Sequence, residues 1–390
     1  MSELPETGGW PGEPLLSIGA LCLTLENLEM KKTLVALAAL AVTSAFAQSS
    51  VTLSGVADVG LVYNNSNAGR MGSEKLVLGA GNNNRIIFSG VEDLGGGLAA
   101  TFAFQVRLDP TVGNNERGTA NVGNLGAGGV GTPAAPVTSR PLFQGESTVG
   151  LRGGFGSVKM GRWLTALQLP NGGIIDPWGV TTVAGNVYAT GFSSDYVQGG
   201  EGRVGNMIFY SSPNLGGFTV NFSKGFLKGP TGGTHIALAG VFSNGPINAV
   251  LGYERNRVDD TLVQLGANYD LGVAKIYAGY GNIKGGSVAD RAGMTYLATA
   301  SGAQVAANGS IKDYTIGVGV PLGAATIRAG YSRWNGTGAP RQANEIKLGL
   351  GVNYALSKRT AIYTDIANTT RKNANLGKVN AFDLGIAHSF

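Results

Sequence analysis

Residue types able to make or break covalent bonds are sparse in this chain of 390 residues. His235 and His388 are its only histidines and lie far apart, and Cys22 is its only cysteine. No H-E-x-x-H, cysteine cluster or G-x-S-x-G is present, so the spacings that build zinc proteases, redox pairs and serine hydrolases are missing. Gly95-Gly96-Gly97 is not followed by the Lys-Ser/Thr of a phosphate loop. Asp259-Asp260 offers at most a weak divalent-cation contact, since calcium takes roughly six to eight oxygen ligands. The chemistry that remains is electrostatic. Arg107, Arg152, Lys159, Lys275, Arg328 and Lys347 each fall on the polar parity of an alternating segment, where fixed charges set a field for passing solutes. No catalytic residue, metal or cofactor is expected.

The elements that carry these charges have a period of two. Val263, Leu265, Ala267 and Tyr269 alternate with Gln264, Gly266 and Asn268, and Ile346, Leu348, Leu350 and Val352 alternate with Lys347, Gly349 and Gly351. A sandwich would alternate as well. An apolar face ending in aromatics, opposed by a face rich in Gly, Arg and Lys, fits a barrel with lipid outside and water inside. About sixteen such segments start near 50, 82, 97, 143, 155, 203, 216, 234, 246, 260, 273, 311, 324, 344, 358 and 378. Each is roughly 9–13 residues, the length a tilted strand needs to cross a bilayer. Tight turns are expected to alternate strictly with longer loops, among them 64–81, 109–142, 164–202 and 282–310. The last segment alternates through Phe382, Leu384, Ile386 and His388 to a terminal Phe390, suited to closing the barrel at an aromatic girdle.

The first 47 residues differ. Met30-Lys31-Lys32, the apolar run Leu34–Val42 and Ala45-Phe46-Ala47 have the parts of a secretory signal peptide cleaved before Gln48. Residues 1–29 are expected to be an upstream extension, 30–47 the signal peptide and 48–390 the barrel. Without 1–47 the chain has no cysteine, and 27 basic residues stand against 19 acidic ones, a net charge of +8. That balance suits an anion-attracting pore, and export argues against a nucleic-acid partner.

Several segments resemble the trimeric general porins of Gram-negative bacteria, especially the β-proteobacterial branch. They are Ser50-Val51-Thr52-Leu53-Ser54-Gly55-Val56-Ala57-Asp58, the run Arg85–Gly97, Val149-Gly150-Leu151 with Gly161-Arg162, Tyr210-Ser211-Ser212-Pro213, Leu356-Ser357-Lys358-Arg359-Thr360 and His388-Ser389-Phe390. The resemblance spans essentially all of 48–390. It implies an all-β, sixteen-stranded antiparallel transmembrane barrel with the third long loop, about 164–202, folded inward as a constriction. It implies passive diffusion of small hydrophilic solutes and ions with weak anion preference, assembly as a homotrimer, and outer-membrane lipid and lipopolysaccharide as surroundings. Constriction residues carried over are Arg85 and Arg203 on the wall and Asp176 on the loop, with Arg162, where that loop begins, as a further candidate. The chain departs from the family pattern at Ile87, and at Gly145, where a wall arginine is usual and Glu146 is adjacent. Two other functions stay open: a substrate-specific anion or organic-acid channel on the same barrel, and a non-transporting surface anchor.

Overall fold

Strict alternation gives a strand two unlike faces, and sixteen strands solve the mismatch by curling into one closed antiparallel sheet. The computed structural model describes residues 50–65, 76–80, 84–111, 113–115, 142–179, 181–185, 203–228, 233–257, 259–285, 309–337, 345–371 and 378–390. The expected signal peptide and upstream extension lie outside them.

In chain order the strands are β1 (Ser50–Asn64), β2 in two pieces (Leu76–Ala80 and Arg85–Gly95), β3 (Leu98–Asp109), β4 (Ser147–Gly153), β5 (Gly156–Leu164), β6 (Arg203–Ser211), β7 (Phe218–Lys228) and β8 (Thr234–Asn244). There follow β9 (Ile247–Arg255), β10 (Thr261–Asp270), β11 (Lys275–Lys284), β12 (Ser310–Leu322), β13 (Ala325–Thr337), β14 (Glu345–Ala355), β15 (Thr360–Arg371) and β16 (Lys378–Ser389). A two-residue arm, Asn114–Asn115, pairs with the end of β3 in a separate small sheet. Each strand pairs with its sequence neighbour, and β16 returns to β1 in register from Val56↔Ser389 to Asn64↔Ala381. At the seam, Gly55 and Phe390 exchange backbone bonds of 3.0 and 3.1 Å. Among the described residues the sixteen-stranded sheet therefore closes without a free edge strand.

The connections do not alternate strictly. Two-residue turns join β2–β3, β4–β5, β8–β9 and β12–β13. On the same side, however, 212–217 is longer than the opposite-side links 229–233 and 256–260. The reason is local: Ser212-Pro213-Asn214 adds an arm, with Ser212 Oγ accepting from Val220 N at 2.9 Å and Asn214 Oδ1 from Gly217 N at 2.6 Å.

The faces are inverted relative to a water-soluble protein. Leu265 is 52% exposed while its neighbour Gln264 is 1% exposed, and Leu348, Leu350, Ile366 and Ile386 likewise point out. Ser223, Thr315, Ser332 and Thr369 are buried inside. The apolar core therefore lies within the barrel, where the chain after β5 meets the wall: Ala166, Leu167, Ile174 and Ile175 pack with Met207, Phe209, Ala237, Ala239, Val250 and Leu262. That segment contains α1 (Gln168–Ile175). The Thr165 hydroxyl accepts Gln168 N–H at 3.2 Å at its start, and Pro170 costs no helical bond in the first turn. It ends at Asp176, extended at φ −121°, because the following Pro177 disfavours helix in the residue before it.

Candidate functional site

Two structures line the inner wall: a basic arc on β2–β6, and a strap formed by residues 165–185. In the arc, Arg85 of β2 and Arg107 of β3 are direct register partners. Like charges placed directly opposite destabilise a sheet, so this pairing is costly to the fold itself. Gln144 Nε2 donates to Arg107 O at 3.1 Å, and Arg162 Nε donates to Gln144 O at 3.0 Å. A further Arg162 nitrogen donates to Arg203 O at 3.4 Å. Arg162 thus ties the approach to β4 to the start of β6. Its strand is bulged there, between Gly161 and Trp163, with Gly161 at φ +132°.

Glu146, beside the arc, is buried and engaged: Thr148 Oγ1 donates to it at 2.8 Å and Lys159 Nζ at 2.9 Å. Gly145 is a tight fit. A Cβ built there would lie 2.6 Å from Cγ and Cδ of Gln105 and 2.8 Å from its Cβ. The missing arginine rung is therefore a space already filled by Gln105.

The strap is seated on glycines. Leu167 lies on Gly252, Ile175 on Gly266 and Gly279, Pro177 on Gly317, and Trp178 on Gly330 and Gly349. These are inward positions on six successive strands, β9 to β14. Side chains of the wall then bind the strap's backbone and ends. Thr165 Oγ1 donates to Glu254 Oε2 at 2.9 Å, and Ala166 N to Ser223 Oγ at 3.0 Å. Asn268 Nδ2 donates to Ile174 O at 3.0 Å and Lys347 Nζ to Gly185 O at 2.6 Å. Asp365 and Asp383 face each other in register. Asp365 Oδ1 accepts from Trp178 Nε1 at 2.5 Å and Asp383 Oδ2 from Val183 N at 2.8 Å. Asp58 accepts from the Tyr363 hydroxyl at 2.6 Å.

The expected site residues are thus only partly gathered. Arg85, Arg107, Arg162 and Arg203 share one arc. Asp176 lies across the barrel, 3% exposed, beside Thr315, Ser332 and Lys347. Lys347 is buried at the end of the strap, and Arg328 sits on β13 level with Gly319 and Gly351. Lys159 also lies 5.3 Å from the Trp163 ring. Arg152 is exposed beside the β4–β5 turn. Lys275, 3.9 Å from Asp270, is beside the β10–β11 turn. Phe390 closes the seam. The sequence reading missed the seat glycines and the acids Glu254, Asp365 and Asp383, although all fall on the inward parity of their strands. Among the described residues no cluster of His, Cys, Asp or Glu could hold a metal ion.

Comparison with known proteins accounts for nearly the whole chain. The family model described as Gram-negative porin matches residues 33–374. Outer membrane porin protein 32 of Delftia acidovorans is 30% identical, over 89% of this chain and 91% of its own length. An outer membrane porin protein of Bordetella pertussis is 26% identical, over 93% of this chain and all of its own. Among solved structures, an anion-selective porin from Comamonas acidovorans superposes with a TM-score of 0.68 at 24% identity, covering 88% of this chain and 100% of that one.

Proposed function

Because the chain belongs to the Gram-negative porin family, and is thus an outer-membrane channel for small hydrophilic solutes, we propose that its passage narrows between the strap and the arginine arc and prefers anions weakly. The observation that carries this reading is the Arg85–Arg107 pair with Arg203 on the same arc. The seat glycines place the strap on β9 to β14, and its apolar side chains also reach Met207 and Phe209 of β6. Arg107 and Arg203 are 4% and 8% exposed while Arg85 is half-buried, so of these three Arg85 presents most surface. The acids nearby are occupied: Glu146 with Lys159, Asp365 and Asp383 with the strap. At physiological salt the Debye length is roughly 8 Å, so charges at the narrowest point outweigh those on distant loops.

In this reading Arg85, Arg107 and Arg203 attract the anion, Arg162 positions Arg203 through its backbone, and Asp176 with Lys347 shapes the opposite side. The preference stays weak because Gly145 supplies no charge. Replacing Arg85 and Arg203 together with Gln is expected to move the zero-current potential in a salt gradient towards cations. An unchanged potential places the selective point elsewhere. Assembly as a homotrimer is part of the proposal and is supported by the resemblance; a monomeric native band contradicts it.

A further inference from the structure

We infer that a second anion-binding site lies on the turn side of the strap, a cradle over Gly319 formed by Lys275, Arg328 and Tyr277 that takes a small dianionic oxyanion such as inorganic phosphate. One inward row carries it. Across β10 to β15 the directly opposed residues are Asp270, Lys275, Gly319, Arg328, Gly351 and Asp365. Opposite charges meet towards both ends of this row: Lys275 Nζ lies 3.9 Å from Asp270 Oδ2, and Arg328 interacts electrostatically with Asp365. In the middle two cations flank a glycine, and no carboxylate of the row stands between them. An anion over Gly319 makes the sign alternate along the whole row, which Coulomb attraction favours.

The floor of the cradle has room. A Cβ built on Gly319 would meet nothing closer than Tyr277 Cε2 at 3.9 Å and Thr326 Cγ2 at 4.0 Å, so the ring and the methyl bound the space from either side along the strands. Two strand spacings of about 4.8 Å each separate the backbones that carry the cations, a span that a lysine and an arginine close on one tetrahedral group. The guanidinium brings a planar fork of donors and the ammonium a compact charge, and bonds from either to an oxyanion are of the strong, charge-assisted kind. The neighbouring acids are already engaged: Asp365 with Trp178, and Asp270 with Gly272 N–H at 2.8 Å. Pro177 and Trp178 of the strap sit on Gly317 and Gly330, the next inward positions of β12 and β13. The cradle therefore lies directly beside the strap, towards the short turns, which in this class of barrel face the periplasm. An anion that has passed the arc meets it on leaving.

The inference rests on the channel reading but not on the arc's selectivity. Its test is a titration of the intact protein in detergent with inorganic phosphate at constant ionic strength, followed by phosphorus NMR line width. The expected result is saturable broadening, with the affinity for phosphate lowered about tenfold in Lys275→Gln, which loses one charged bond. Gly319→Asp places the chain's own carboxylate between the two cations and is expected to abolish the broadening while folding as the parent does. No saturable broadening in the parent, or broadening that survives both Lys275→Gln and Gly319→Asp, overturns the inference. So does broadening that disappears only when Arg85 and Arg203 are replaced, because the phosphate then sits on the arc. If Gly319→Asp does not fold, Lys275→Gln alone decides. A protein that prefers anions in a salt gradient yet binds no phosphate overturns the cradle and leaves the pore reading standing.

Discussion

Replacing Trp178 with Ala should loosen the second half of the strap while leaving the barrel folded. The indole is 4% exposed, its Nε1 is bonded to Asp365 at 2.5 Å, and its ring edge lies 2.6 Å from where a Cβ on Gly330 would be. Truncating a buried tryptophan costs about 3–5 kcal/mol. Bonds to charged groups contribute about 1.5–3 kcal/mol each, so two further holds after α1, Val183 on Asp383 and Gly185 on Lys347, are together of similar size. The first half keeps its own anchors at Glu254, Ser223 and Asn268. Partial opening of 176–185, rather than release of the whole segment, is therefore expected. Planar-bilayer recordings should show larger and noisier single-channel conductance, and amide exchange should accelerate at 176–185 but not in the strands. Trp178→Phe keeps an aromatic ring but loses the N–H bond and the outer ring edge that reaches Gly330 and Gly349, so its effect should be intermediate. If Trp178→Ala matches the parent in conductance, noise and exchange, the strap is not held by this side chain and the assignment of anchors is wrong.

Other outcomes follow from the same geometry. Leu265→Arg places a charge on the lipid face near mid-strand and should cost about 2–4 kcal/mol in reversible unfolding from lipid; an unchanged midpoint would mean that this face does not meet lipid. Gly145→Arg should destabilise by about 1–3 kcal/mol through collision with Gln105. Combined with Gln105→Ala it should fold well and shift the zero-current potential towards anions; no shift would show that this rung does not face the passage. The protein isolated from outer membranes should begin at Gln48 by N-terminal sequencing, and a start before residue 30 would contradict the leader reading.

Strand positions were legible because a period of two is local: the sixteen starts lie within a few residues of those found, β2 through its second piece, Arg85–Gly95. Parity also put Gln264 inside and Leu265 outside. The interior was harder. Gly266 and Gly349 were legible only as part of a water-facing parity; with Gly252, Gly279, Gly317 and Gly330 they seat a strap distant in sequence, and no periodicity encodes that contact. Arg107 looked like one lumen charge among several, since its pairing with Arg85 depends on the register set by the turn at Gly96–Gly97. The bulge at Gly161 likewise breaks the parity that would have oriented Arg162.

The seam between Gly55 and Phe390 also constrains how the molecule is made. Its closing bonds join Gly55 to Phe390, 335 positions apart in sequence. Loop-closure entropy delays such long-range pairings relative to hairpins. Every hairpin from β2 to β15 can form while the final strand is still missing, yet none of those partial sheets lacks an open edge. The pairing of β16 with β1 is therefore the step that ends the exposure. Until then the chain is a sticky, unsealed ribbon, and its survival depends on being kept apart from its own copies during export.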